Sequence, residues 1–422
     1  MKINDISMPV LILNCKIGAL AIMRSLGALG VPIYGVDEDP HAPALISKYC
    51  KGKFIKAFAE DAQEDYLEYV LNVGEQIGRK SILIPTSDET SIFAADYADK
   101  LSKYFIFPQN DPALVRNLAS KREMYFIAKE NNVPAPLTEF PQNLEDVLNY
   151  IDKVRLPVML KGIFGNRLQA KTGRKMLIVH TKEELIENYK IMEDQESPNL
   201  MLQEYIPGGD DQVYIFNGYF NKDSDCLAAF TGHKIRQSPI HEGCASLGIC
   251  TWNEKVADIT IKFMKAVGYS GILDIGYRLD PRDGQYKVLD INPRVGQAFR
   301  LFLSENGMDV VRALYMDLTS QKPYAISPRE GRKWMIENLD IISSYHYYKE
   351  GSLSLWQWIK SFRNLEEGAW FSLKDPVPFL SMLLSLSTRM LKWLGKKAGI
   401  VKDDASRLKK AEMGGAQVQK GR

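Results

Sequence analysis

Short apolar runs alternate with amphipathic stretches through the first third of the chain, and no other feature constrains the fold as tightly. Val10-Leu11-Ile12-Leu13, Val31-Pro32-Ile33-Tyr34-Gly35-Val36-Asp37 and Ser81-Ile82-Leu83-Ile84-Pro85 read as strands, with helical segments from Ala19 to Leu29 and from Gln63 to Gly78 between them. A continuously apolar strand is buried on both faces, and helices returning between such strands cover those faces. The spacing therefore predicts a parallel sheet in an α/β unit. Ligands bind beyond the carboxyl ends of the strands in such sheets, where Asp37 and the turn Thr86-Ser87-Asp88-Glu89 fall. Asp88 and Glu89 equally suit the first turn of a helix. The loop Asn14-Cys15-Lys16-Ile17-Gly18 lacks the glycine fingerprint of a dinucleotide site, so NAD is not expected.

A chain of 422 residues exceeds one compact core, and a hydrophobic share of 45% with 25% charged residues suits a folded enzyme. A formal net charge of +2 provides no basic field, which argues against nucleic acid as a partner. The cysteines at 15, 50, 226, 244 and 250 show no CxxC spacing and read as scattered reduced thiols. Lys16 and Arg24 interrupt the apolar start, so neither a signal peptide nor a spanning helix is expected there, and a cytoplasmic location follows.

Chemistry concentrates further along. Val288-Leu289-Asp290-Ile291-Asn292-Pro293-Arg294 ends a strand whose hairpin partner runs from Gly271 to Asp280, with Pro281-Arg282-Asp283-Gly284 as the turn. Residues two apart on a strand share a face, so Asp290 and Asn292 point the same way. A carboxylate and an amide oxygen there suit a hard divalent cation such as Mg²⁺, and Arg294 offers a fork for an oxyanion. Alternatively, they hydrogen-bond a turn at a strand end. Leu156-Pro157-Val158-Met159-Leu160-Lys161-Gly162 carries a lysine on an apolar strand, which calls for an anion or a strong partner. Beyond it, Ile163 to Arg174, with Arg167, Lys171 and Arg174, reads as a mobile basic loop suited to covering phosphates. The strand ending Gln203-Glu204-Tyr205-Ile206-Pro207-Gly208-Gly209 leaves backbone groups able to read an adenine ring, with Asp211 placed for a ribose. A plain structural turn fits the same residues. In Phe230 to Pro239, Lys234 and Arg236 alternate with Ile235, so both are expected on one strand face, which is either an exposed basic face or, if buried, one that would stabilise an acyl phosphate or hold a substrate carboxylate.

These pieces, in this order, resemble the ATP-grasp superfamily over roughly Pro9 to Leu318, and within it the uncharacterised carboxylate–amine ligases. The resemblance implies a Rossmann-like pre-ATP-grasp domain over 1–119 and a two-part α+β ATP-grasp domain over 120–325, split near 198. Lys121 and Lys161 would approach the phosphates of ATP; Glu204 with the backbone of Tyr205 and Ile206 would hold adenine, and Asp211 the ribose. Asp290 and Asn292 would bind Mg²⁺, with Mn²⁺ as the alternative ion, and Arg294 would sit near the transferred phosphoryl group. Members carry a further acid on the partner strand, a position occupied here by Gly276, with Asp274 two residues earlier as its substitute. The implied activity is ATP-dependent ligation of small-molecule carboxylate and amine substrates through an acyl phosphate. The alternatives are an ATP-grasp kinase and a nucleotide-binding regulatory protein with a degenerate site.

From 326 to 422 the chain loses strand alternation and is expected to be a mostly helical extension. A helix from Pro378 to Lys397 has a wide apolar face, a polar stripe of Ser381, Ser385, Arg389, Lys392 and Lys396, and Trp393 among its leucines. It suits either burial or a peripheral contact of 378–397 with the inner face of a membrane, in which case a cell-envelope precursor is the expected substrate. Lys402 to Arg422 reads as a frayed polar tail.

Overall fold

The computed structural model describes residues 3–397 apart from Gln195, with side chains described to residue 388. The chain divides into two compact units, Met1–Ala369 and a second beginning at Trp370.

The first unit contains three sheets. β1 (Val10–Leu13), β2 (Ile33–Asp37), β3 (Cys50–Ile55), β4 (Ser81–Pro85) and β5 (Phe105–Ile106) run parallel in the order β3-β2-β1-β4-β5. All four residues of β1 are buried, as a central parallel strand requires. Helices α1 (Ile17–Gly27), α2 (Gln63–Ile77), α3 (Asp88–Asp96) and α4 (Ala98–Leu101) connect the strands. Ser87 caps α3 by accepting from the Thr90 amide, while the Thr90 hydroxyl accepts from the Ser87 amide, which fixes Asp88 at the helix start. The stretch after β5 forms two helices, α5 (Pro112–Ala119) and α6 (Lys121–Glu130). Ser120 adopts extended backbone (ψ 124°) and its hydroxyl caps α6, which sets Lys121 at the start of that helix.

The second sheet, antiparallel in the order β6-β9-β7-β8, comprises β6 (Thr138–Glu139), β7 (Val158–Gly162), β8 (Met176–Val179) and β9 (Leu200–Glu204). With it go α7 (Leu144–Ile151), α8 (Gly165–Thr172) and α9 (Lys182–Met192). Val158 and Leu160 of β7 enter a core with Tyr150, Leu185 and Leu202, so Lys161 lies on the opposite face. The stretch expected as a mobile basic loop is mostly helix α8. Arg167 donates to Asp194 at 2.6 Å and Lys171 to the Glu193 carbonyl at 2.7 Å, so their charges hold the subdomain together.

The third sheet is built from β10 (Val213–Phe220), β11 (Cys226–Ser238), β12 (Cys244–Cys250), β13 (Gly271–Asp280), β14 (Gln285–Asn292), β15 (Lys333–Met335) and β16 (Leu365–Gly368), in the order β14-β13-β10-β11-β12-β15-β16. Helices α10 (Glu254–Val267), α11 (Val310–Leu318), α12 (Glu337–Lys349) and α13 (Leu355–Ser361) accompany it. β15 and β16 correct the expectation that strands end before 326. At three and four residues they are too short for a period-2 pattern to register.

The second unit contains α14 (Val377–Lys397), one residue longer than expected. Among the described residues, no helix is long and apolar enough to cross a membrane. The side chains of Arg389, Lys392, Trp393 and Lys396, and the tail from Lys402, lie outside the described residues.

Candidate active site

Three lysines from three separate elements face one cleft. Lys161, on the outer face of β7, donates to the Gln203 amide oxygen at 2.7 Å. Lys121, at the start of α6, donates to the Gly162 carbonyl at 3.2 Å. Lys234, on β11, donates to the Gly243 carbonyl at 2.8 Å and the Gln237 amide oxygen at 3.1 Å. Each therefore meets only neutral acceptors, and none forms an ion pair among the described residues. Burial pulls the pKa of all three down, that of Lys161 from 10.5 to about 8 with the Lys121 charge adding to the effect. Three ammonium groups desolvated together in this way suit an anion.

The hairpin of β13 and β14 faces these lysines. Asp274 pairs in register with Asn292 and Gly276 with Asp290. A register shift beyond Gly276 leaves Leu289 as an extra residue, so that Val288 and Ile291 enter the core while Asp290 and Asn292 face outward. The Asn292 amide donates to Asp290 at 3.0 Å, and its carbonyl accepts from Arg294 at 2.9 Å. Asp290 interacts electrostatically with Lys121, Lys161 and Lys234. Asp274 completes the group. Burial, with Asp290 beside it, pushes its carboxyl up to about 6, against the pull of Arg294 and Lys234.

Gly276 stands where a further acid would face Asp290, but a Cβ built there would lie 2.5 Å from the Asp290 carboxylate. Among the described residues, no group of three or more His, Cys, Asp or Glu forms a ready metal cage. A carboxylate pair with one amide suits a cation that takes most of its oxygens from phosphates and water, as Mg²⁺ does.

Several placements differ from expectation. The Glu204 carboxylate accepts from the Leu137 amide (2.9 Å), Lys287 (2.9 Å) and Arg282 (2.7 Å), and the same two bases hold Asp280. Its charge therefore closes an internal network. The Ile206 carbonyl accepts from Arg278 at 3.0 Å, and Gly208 from the same guanidinium at 2.6 Å, so Arg278 shapes the turn after β9. Ile206 is buried, Tyr205 is half-buried, and Asp211 is exposed on the following turn.

Arg236 corrects the alternation argument. Ile235 is a bulge residue in the β11–β12 pairing, so Arg236 turns away from the face of Lys234. Its buried guanidinium pairs with Asp340 at 2.8 and 2.9 Å, outside the cleft.

Sequence reasoning missed Lys175, which faces Lys121 beside Gly165, and Gln203, the acceptor for Lys161. It also missed the partner of Arg294, whose Nε donates to Asp88 at 2.7 Å across 206 residues of sequence. The acid at the start of α3 was visible, but nothing in the sequence paired it with the last motif. Near it, beyond the ends of β1, β2 and β4, opens a cavity of about 300 Å³ lined by Lys16, Asp37, Glu38, Glu60 and Glu89, with Phe58 among the apolar walls.

No protein-family model matches the chain. A D-aspartate ligase of Enterococcus faecium is 25% identical over 335 residues, spanning 76% of this chain and 79% of that protein. The N5-carboxyaminoimidazole synthetase of Staphylococcus aureus shares the fold with a TM-score of 0.61 at 11% identity, covering 83% of this chain and 88% of that one. An L-amino acid ligase of Bacillus licheniformis gives 0.57 at 15% identity over 78% and 79%. A biotin carboxylase domain of Hydrogenobacter thermophilus, solved with MgADP, gives 0.59 at 16% identity over 78% and 74%. The chain thus shares the fold of ATP-grasp enzymes, and its sequence relatives and structural neighbours are ATP-dependent carboxylate–amine ligases.

Proposed function

We propose that this chain uses ATP and Mg²⁺ to activate an amino-acid-like carboxylate as an acyl phosphate and joins it to an amine. The observation that carries the reading is the meeting of Lys121, Lys161 and Lys234, each short of a counter-charge, with Asp290, Asn292 and Arg294. The lysines would bind the triphosphate, and Arg278 would support the turn that receives adenine. Asp211 suits the ribose. Asp290 and Asn292, with Asp274 behind them, would hold Mg²⁺, which supplies charge neutralisation at the phosphates; the same oxygen donors accept Mn²⁺.

A carboxylate oxygen attacks the γ-phosphorus in line and ADP leaves. The amine nitrogen then attacks the acyl carbon, phosphate departs with the C–O electron pair, and the nitrogen gives up a proton. Lys234 and Arg294 stabilise the charge that develops, and no protein nucleophile takes part. The cavity beyond β1, β2 and β4 places acids beside lysines, a mixture that suits a zwitterionic substrate. A D-aspartate ligase and an L-amino acid ligase among the similar proteins point the same way. ATP-dependent chemistry of this kind is assigned to the cytoplasm.

A second reading, a nucleotide-binding protein with a lapsed site, draws on Gly276 alone. One experiment separates the readings: phosphate release from Mg-ATP across a panel of amino acids and short peptides, with hydroxylamine as a trap. Release that depends on one carboxylate, and a hydroxamate of that acid, is the expected result. Phosphate release without hydroxamate from any acid marks a kinase, and no release at all marks the lapsed site; either sinks the ligase reading.

A further inference from the structure

Helix α12 is inside out. An ordinary surface helix turns its apolar stripe to the core. Here Glu337, Asp340, Ser343, Ser344 and Tyr347 are the buried residues, every one of them with a polar side-chain group. Asp340 holds Arg236, Ser246 bonds Asp340 at 3.2 Å and Ser343 at 3.0 Å, and the Tyr347 hydroxyl accepts from the Gln237 amide at 3.1 Å. Turned outward beside His346 and Lys349 are Ile341, Ile342, Tyr345 and Tyr348. Helix α13, which follows after a short turn, also exposes Leu355, Trp356 and Ile359, and all seven are between 48% and 65% exposed.

We infer that the α12–α13 face is a docking surface for an anionic lipid bilayer. Satisfied polar groups inside and large apolar groups outside describe a helix whose outer medium is not water alone. The composition of the face favours lipid. Tyr345, Tyr348 and Trp356 are the amphipathic rings that settle at a membrane interface. Lys349 lies 5.2 Å from the Tyr345 ring and Lys360 5.7 Å from the Trp356 ring, which puts a cation beside two of the three rings. From Ile341 to Arg363 the single acid is Glu350, and its carboxylate is taken by His241 at 2.9 Å and Ser352 at 2.6 Å. The rim is therefore positive, complementary to anionic headgroups. This inference stands apart from the ligase reading and from helix α14.

The test is flotation of the full-length protein with vesicles of phosphatidylcholine alone and of phosphatidylcholine with phosphatidylglycerol. Binding to the phosphatidylglycerol vesicles is expected. The pairs Ile341→Ser/Tyr345→Ser and Trp356→Ser/Ile359→Ser should each weaken it about tenfold or more, with melting temperature unchanged because the substituted side chains are exposed. Lys349→Ala and Lys360→Ala should each lower the preference for the anionic vesicles about fivefold. Three results would overturn the inference: no flotation of the unaltered protein, equal flotation of the four-fold serine variant, or concentration-dependent self-association that the same serines abolish.

Discussion

Lys234 and Arg236 lie two positions apart on β11, yet one faces a cleft and the other a wall. In the cleft, Lys121, Lys161 and Lys234 meet amide and carbonyl oxygens, and burial drags their pKa values down. In the wall, Arg236 has Asp340, Arg300 has Asp309 and Glu367, and Arg332 has Glu366 and Glu367. A buried cation that owns a carboxylate is part of the scaffold; one left with neutral acceptors is held in readiness for an anionic ligand. Lysines stand on one side of this division and arginines on the other, and the ownership of counter-charge runs along the same line.

The contrast breaks most visibly in paired substitutions. Lys161→Ala should lower ATP turnover by about a thousandfold without lowering the melting temperature, since it removes a desolvated charge. Asp340→Ala should do the opposite, costing about 3–5 kcal/mol in denaturant unfolding by stranding Arg236. If Lys161→Ala unfolds the protein, or Asp340→Ala leaves stability untouched, the contrast fails.

Asp290→Asn tests the acid end of the cleft, with an expected loss of about a hundredfold that excess Mg²⁺ partly restores. A magnesium titration identical to that of the unaltered protein would remove Asp290 from the metal role. A smaller effect belongs to Asp88→Asn, which frees Arg294: about a tenfold fall in kcat with KM for ATP unchanged. A rise in KM alone would assign Asp88 to binding instead.

The smallest effect is on pH dependence. Lys161 without ligand loses its proton as pH rises through about 8, well below the 10.5 of a free lysine. Phosphates favour the charged form, so ATP binding should take up a proton above pH 8 and its affinity should decline there by a few-fold. Over the same window the unfolded chain binds more protons than the folded one, so the ligand-free protein should gain stability as pH rises. Calorimetry in buffers of different ionisation enthalpy measures the uptake, and none between pH 8 and 9 would mean that Lys161 keeps its charge without ligand.

The sequence made the parallel sheet readable because β1, β2 and β4 are long enough to show unbroken apolar runs, and the β13–β14 hairpin because its turn is confined to Pro281–Gly284. β15 and β16 were not readable, since Lys333-Trp334-Met335 and Leu365-Glu366-Glu367-Gly368 carry neither an apolar run nor a period. Lys161 announced itself by ending an apolar strand, and Lys234 by alternating with Ile235 and Arg236. Arg236 misled because alternation assumes an unbroken ladder, and one bulge residue reverses every direction after it. Asp88 illustrates the harder limit. Its local role as a first-turn acid was legible, while its partnership with Arg294 depends on how sheets far apart in sequence pack.

That Asp88–Arg294 contact has a consequence for the order of assembly. The arginine follows the end of β14, and the aspartate that aims it starts the helix after β4 of the first sheet, 206 residues earlier. Under the proposed function, a chain whose first sheet has come loose would keep Lys121, Lys161 and Lys234 but lose the aim of Arg294. Such a species would still hold nucleotide while turning it over more slowly, so a damaged molecule would be a poor drain on ATP.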